Sequence, residues 1–423
     1  MSIARPGYRK YSTDELMEVI DVFNVAPEDR QAIETILKNS KTTPDAGNFF
    51  RYYNPRSKTA EFERAYAEKM GAKYALAVNS GTSALIASLI AAGVGPGDEV
   101  IIPAYTFFAS ASAVVVARGI PVIVEIDESL TLDPEAVRRA ITPRTKAIMP
   151  VHMVGHPSRM DALMAIAREH GLKVIEDTAQ ACGGSYKGKF LGTWGDLGCV
   201  SLDAYKVIGS GEGGVITTDD EWLYTRAQSY HDAAACWRPD RFARERKEGE
   251  LFCGENYRMP ELCAAVAIVQ LRKLASITTR TRAIWRQLRQ SIQLPAGARW
   301  VEPADPDGVC GYTLGILFKS QADAVKAAGI GIGGMATGDT RGARDWHVYW
   351  HWDHILDQKT ATPEGFPFRS PYVQKPQAYS PDMCPRTKDI MLRLGILGIK
   401  PTDTPEWAAD FAMQLNEKIA KTF

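Results

Sequence analysis

The chain has 423 residues, 45% of them apolar and 24% charged, enough to bury a substantial core in one large domain or two to three ordinary ones. Fifty basic side chains balance fifty acidic ones, so composition carries no footprint for nucleic acid or an anionic membrane. Seven scattered cysteines form no C-x-x-C pair, which argues against a disulfide framework or a metal knuckle and for a reducing, cytoplasmic setting.

The polar start Met1–Lys10 lacks the apolar centre of a signal peptide, and no unbroken apolar run approaches ~18 residues, so no membrane span is expected. Residues 1–55 read as an arm, with helices near Asp14–Phe23 and Pro27–Lys38, a loop at Thr43–Gly47 and the aromatic segment Phe49–Tyr53. A helical pattern then runs from Thr59 to Met70, and Ala75–Val78 reads as a short buried strand. Strands are expected at Glu99–Ile102, Val122–Ile126, Ala147–Val151, Lys173–Glu176, Cys199–Leu202 and Gly214–Thr218. Helices are expected between them at Phe107–Ala117, Asp133–Ile141 and Met160–His170. This alternation predicts an α/β fold with a mostly parallel sheet covered on both faces. A long helix begins near Met259, and the texture after Pro295 predicts a smaller C-terminal α+β domain. The expected division is arm 1–55, large domain 56–275 and small domain 276–423.

Four clusters carry chemistry. Asn79-Ser-Gly-Thr-Ser83 lies between a strand and a helix, where a glycine turn, hydroxyls and a helix N-terminus suit a phosphate. The same residues also serve as a plain N-cap. Pro103–Ala109 places Phe107 and Phe108 just past a strand end, where a ring can stack on a planar cofactor or simply fill the core. Glu176-Asp177 ends an apolar strand, where open α/β sheets bind ligands; strand alternation says only weakly which acid points inward. Lys206 precedes a glycine-dense turn at 209–214 and alone would read as a solvated loop residue. The strand–Gly-x-Gly-x-x-Gly–helix order of a dinucleotide site is absent. A lysine and an acid at neighbouring strand ends are what pyridoxal phosphate (PLP) needs: an amine for the Schiff base and a carboxylate for the pyridine nitrogen.

The set Asn79–Leu85, Gly97–Phe107, Glu176–Gln180, Ser201…Lys206…Gly211–Gly214 and Gly254–Met259 resembles the DegT/DnrJ/EryC1/StrS family of fold-type-I, PLP-dependent sugar aminotransferases, strongly over residues 50–275. The resemblance implies that Gly81, Thr82 and Ser201 hold the cofactor phosphate, Phe107 stacks on the ring, Asp177 pairs with the ring nitrogen and Gln180 lies near the ring hydroxyl. It implies Lys206 as the Schiff-base lysine, and Asn256 reaching the phosphate from the neighbouring subunit of a homodimer. The implied reaction converts a keto or aldehyde sugar to an amino sugar with glutamate or glutamine as donor. Family dehydratases carry histidine in place of the lysine, so Lys206 argues against that outcome. A decarboxylase or aldolase-like reaction on the same scaffold stays open as the alternative, and the intact lysine–aspartate–phosphate set argues against a non-catalytic PLP-binding regulatory role. Leu202 and Asp203-Ala-Tyr205 depart from the usual pattern and leave substrate identity open. Phe50–Tyr53, Val151–Gly155 and Trp346–Trp352 are similar to the branch that aminates eight-carbon sugar acids, although a Trp/His-rich run also suits interface packing.

Overall fold

The computed structural model describes residues 11–40, 46–234, 244–334, 345–373 and 376–423. The polar start, most of the loop expected at 43–47, and Cys236 lie outside the described residues.

The strands are β1 (Tyr74–Val78), β2 (Glu99–Pro103), β3 (Ile120–Val124), β4 (Thr145–Ile148), β5 (Lys173–Asp177), β6 (Ser185–Tyr186), β7 (Lys189–Phe190), β8 (Leu197–Ser201), β9 (Gly214–Thr218), β10 (Arg299–Trp300), β11 (Thr313–Leu317) and β12 (Leu394–Gly398). Seven of them form one sheet in the order β1-β9-β8-β5-β4-β2-β3. Strands β3, β2, β4, β5 and β8 pair in parallel, and β9 runs antiparallel between β8 and β1. The sheet is therefore mostly parallel, as the alternation predicts.

Both faces of the sheet are buried, which is why its strands read as unbroken apolar runs. In β1, Leu76 and Val78 join one core with helix Gly81–Ala91, while Ala75 and Ala77 join another with helices Lys58–Met70 and Glu261–Ser291. In β2, Val100 and Ile102 face the first core and Ile101 faces a third, shared with helices Pro134–Ala140 and Met160–His170.

A second sheet, β10-β11-β12, is antiparallel and packs with helices Gln321–Gly329 and Pro405–Thr422. Helix Glu261–Ser291 is long and apolar enough to cross a membrane by length and composition. Its residues instead enter two cores: Ala264, Ala267, Ile268, Leu271 and Leu274 with the large sheet, Ile284, Trp285 and Leu288 with the small one. Residue 275, where the sequence suggests a boundary, falls inside this helix. The segment carrying Tyr349, Trp352, Ile355 and Phe368 returns to the first core beside β2.

Candidate active site

Strands β1, β2, β4, β5 and β8 all run in one direction, so their C-terminal ends converge on one edge of the sheet, the edge where such folds bind ligands. A cavity of about 510 Å3 opens there, lined by Gly81, Thr82, Phe107, Asp177, Gln180, Ser201 and Lys206, with Ala179 and His347 beside them. Seven of the eight residues singled out from the sequence thus share one space. Asn256 does not line it and is exposed on the same chain.

One end of the cavity is the start of helix Gly81–Ala91. Ser80 is its N-cap, in extended conformation, and its hydroxyl accepts the Ser83 N–H at 3.0 Å. Ser83 Oγ donates in turn to Asn79 Oδ1 at 2.7 Å, and the Asn79 N–H donates to the Tyr257 carbonyl at 2.8 Å. A Cβ at Gly81 would lie 2.6 Å from the Ser201 Cβ, and one at Gly214 would lie 2.3 Å from the Ser80 carbonyl oxygen. Only glycine at both positions lets the ends of β8 and β9 press against the helix start. The result is a cradle of backbone N–H groups and the Thr82 and Ser201 hydroxyls, a donor set that fits a phosphate.

Asp177 occupies the floor. Being the last residue of β5, it points into the cavity, whereas Glu176 points the other way; this settles the alternation that the sequence leaves open. Asp177 Oδ2 accepts from Ser110 Oγ at 2.8 Å and Oδ1 accepts from the Ala179 N–H at 3.1 Å. Burial is the dominant influence and raises its carboxyl above the ordinary value. The two hydrogen bonds and the charges of Lys206 and His152 pull in the opposite direction. A cationic ring N–H would relieve this unpaired buried charge, so the floor fits a protonated pyridine.

Glu176 is fully buried and accepts four donors: the Gly192 N–H at 2.9 Å, the Trp194 N–H at 2.6 Å, the Gly195 N–H at 2.7 Å and His152 Nε2 at 3.1 Å. The Ser158 N–H donates to His152 Nδ1 at 3.0 Å, which leaves the ring proton on Nε2. The Asp177 N–H donates to the Pro150 carbonyl at 2.9 Å and its carbonyl accepts from the His152 N–H at 3.1 Å. Both backbone groups of Asp177 are therefore held by the segment that follows β4.

Gln180 is oriented by the Val154 N–H, which donates to its Oε1 at 3.0 Å, and by Tyr312, whose hydroxyl donates to its carbonyl at 2.7 Å. Lys206 follows β8 on a turn in which its N–H donates to the Asp203 carbonyl at 3.0 Å. Phe107 is 47% exposed, an unusual position for a phenylalanine, and meets His347 with ring centroids 5.4 Å apart.

Sequence reading missed Ser110, because nothing local in helix Ala109–Val116 marks it as a partner of Asp177. His347 lay inside the flagged Trp/His run, but only the pairing of that run with β2's exit brings it to the cavity. The Thr106 N–H donates to the His347 carbonyl and the Phe108 N–H to the Trp346 carbonyl, both at 2.9 Å. His347 Nδ1 is itself held 2.9 Å from Asp345 Oδ1.

A cradle of hydrogen-bond donors, a buried acid and a lysine around one cavity at the edge of a mostly parallel sheet match the layout of the fold-type-I PLP-dependent class. The chain belongs to the DegT/DnrJ/EryC1/StrS aminotransferase family, whose model matches residues 34–328. It is 42% identical over 220 residues to the GDP-perosamine synthase of Caulobacter vibrioides, an alignment covering 51% of this chain and 56% of that protein. The chain spans about half the length of the curated relatives it matches. Among solved structures it is similar to 3-amino-5-hydroxybenzoic acid synthase, with a TM-score of 0.72 and 26% identity over 98% of both chains. It is also similar to S. venezuelae DesV in complex with a ketimine intermediate, with a TM-score of 0.67, 28% identity, and 92% of this chain and 94% of that one covered.

Proposed function

We propose that this protein is an aminotransferase that replaces the keto or aldehyde oxygen of a sugar, nucleotide-linked or eight-carbon, with an amine taken from glutamate or glutamine. The observation that carries the reading is the single cavity in which Lys206 shares walls with the buried Asp177 and with the Gly81–Thr82–Ser201 cradle. PLP, when bound, supplies an aldehyde carbon that an amine can capture and a ring that takes up the electron pair left when a neighbouring proton departs. Gly81, Thr82 and Ser201 bind the phosphate, and Phe107 covers a ring face. Asp177 keeps the ring nitrogen protonated, a role that Ser110 and Ala179 support by fixing the carboxylate. Gln180 orients the opposite edge. Lys206 Nζ is the amine that would hold the cofactor's aldehyde carbon, and it is placed to hold and move the proton at the substrate carbon.

The GDP-perosamine synthase relatives support a nucleotide-linked sugar, and the 346–352 stretch, which brings His347 to the cavity, is where an eight-carbon substrate would be distinguished. Asn256, exposed and outside the lining of its own cavity, fits a role in the site of a second copy, which supports a homodimer as the working unit.

The test is reduction of the PLP-loaded protein with borohydride, followed by peptide mass analysis. The cofactor should be found on Lys206, and incubation with glutamate before reduction should bleach the visible band and abolish the label. A label on another lysine overturns the role of Lys206. Labelling of Lys206 that no amino acid prevents overturns the aminotransferase reading.

A further inference from the structure

A second cavity, about 370 Å3, adjoins the first and shares Gln180, Tyr205 and Lys206 with it. It lies between the two lobes. The large-sheet side contributes Lys206 and Val207, the long helix contributes Ile277 and Thr281, and the small lobe contributes Tyr312, Ile399 and Lys400. The phosphate cradle and Asp177 belong to the first cavity alone. The second therefore extends from the lysine end of the site, where a reactant must approach the amine.

Its lining is selective. The walls are apolar at Val207, Ile277, Cys310, Ile399 and Pro401. The hydroxyls of Thr281 and Tyr312 already donate to the carbonyls of Cys310 and Gln180, at 2.6 and 2.7 Å. Among the described residues, Lys206 and Lys400 are the only charged ones lining it, and no acid does. Lys400 is set on a fixed turn just after β12: its N–H donates to Asp403 Oδ2 at 2.7 Å and its carbonyl accepts the Asp403 N–H at 3.0 Å. The Ile399 N–H donates to the Tyr312 carbonyl at 2.7 Å, tying that turn to the cavity wall. A second cation beside Lys206, on walls that are apolar or carry hydroxyls already engaged, is an arrangement that accepts an anion on a short hydrocarbon chain.

We propose that this cavity is the amino-donor site, with the donor's carboxylate held by Lys400 while its amine reaches Lys206. The assignment rests on the aminotransferase reading above. An amino acid has the matching parts: an amine for Lys206 to exchange with, a carbon chain for the apolar walls and a carboxylate for the lysine ammonium. Lys400 thus sets donor specificity without touching the reacting bond.

The experiment compares PLP-loaded wild type, Lys400→Met and Lys400→Arg. Three readouts are used: the single-turnover spectral change with glutamate, the same with 1-aminopropane, and calorimetric binding of glutarate. Lys400→Met should weaken glutamate and glutarate about ten- to a hundredfold, the scale of losing one charge-assisted contact. The 1-aminopropane reaction, which involves no carboxylate, should stay within about twofold, and Lys400→Arg should recover most of the loss. Glutamate and glutarate affinities unchanged in Lys400→Met overturn the donor site and leave the aminotransferase reading standing. An equal loss with 1-aminopropane also overturns it, since the substitution then acts on the whole site. A wild-type protein that holds PLP on Lys206 and reacts with no amino acid overturns both.

Discussion

Asp177 meets two opposed demands. The proposed reaction requires a carboxylate at the ring nitrogen, yet burial favours the protonated acid and raises its pKa. The cofactor-free native chain then keeps this proton to higher pH than the unfolded chain does. The associated stability is complete below the ordinary carboxylate range and is lost as pH rises through the folded value. Asp177→Asn should therefore stabilise the cofactor-free protein near pH 8, with the advantage shrinking toward pH 4, as read from urea unfolding at each pH. The same variant should slow the half-reaction with glutamate about a hundredfold or more, the scale of removing an electrostatic partner from a reacting group. Equal stability of the two proteins at both pH values would remove this account. The neighbouring Glu176 is buried among four hydrogen-bond donors instead. Two adjacent acids on one strand thus receive different environments, which the sequence Glu-Asp does not display.

At the scale of elements, one carboxylate joins two helices. Glu261 opens helix Glu261–Ser291, whose N-cap is Pro260 and has no side-chain cap, and it also reaches the start of helix Lys58–Met70. There it accepts from Ser57 Oγ at 2.7 Å and from the Lys58 N–H at 2.6 Å, with Thr59 N and Asn54 Nδ2 at 3.4 Å. Both helix starts favour a negative charge. Glu261→Ala should cost about 2–3 kcal/mol, because it leaves buried first-turn N–H groups unsatisfied, and Glu261→Gln should cost less. A shifted urea midpoint at constant slope is the readout, and an unshifted midpoint in Glu261→Ala rejects the role. Helices Pro27–Lys38 and Met160–His170 match the sequence reading because their signals are local: proline at the first turn in one, a glycine C-cap in the other. Strand β3 does not match. It spans Ile120–Val124 where Val122–Ile126 is expected, since its edge position accommodates Pro121. It also stops early, because the Ile126 N–H is taken by Thr387 Oγ1 at 3.0 Å from far along the chain. The helix expected from Phe107 starts at Ala109 for a similar reason, its entry being bound to Trp346 and His347.

At the scale of the molecule, the proposed dimer makes a prediction that a monomeric enzyme cannot satisfy. Lys206→Ala and Asn256→Ala should each be inactive alone. If Asn256 serves the opposite site, subunit exchange between them yields mixed dimers with one intact site each. Activity should then recover to about a quarter of wild type, from random pairing of a two-fold assembly. No recovery after verified exchange, or full activity in Asn256→Ala, counts against the shared site. Exposed Phe107 and Tyr205 at the cavity mouth are the aromatic surfaces whose accessibility should fall on dimerisation.

The sequence alone determined the order of the chemistry: a glycine–hydroxyl turn, an aromatic, an acid and a lysine, each at the end of an apolar run. Those features are legible because strand ends, caps and glycine turns are written in neighbouring residues, and parallel topology then carries separate strand ends to one edge. Only the tertiary structure decided that Asp177 rather than Glu176 faces the cavity, that Ser110 steadies it, and that His347 reaches this cavity and Lys400 the adjoining one from the last quarter of the chain. Those placements depend on packing between distant segments, where no local pattern of residues specifies the partner.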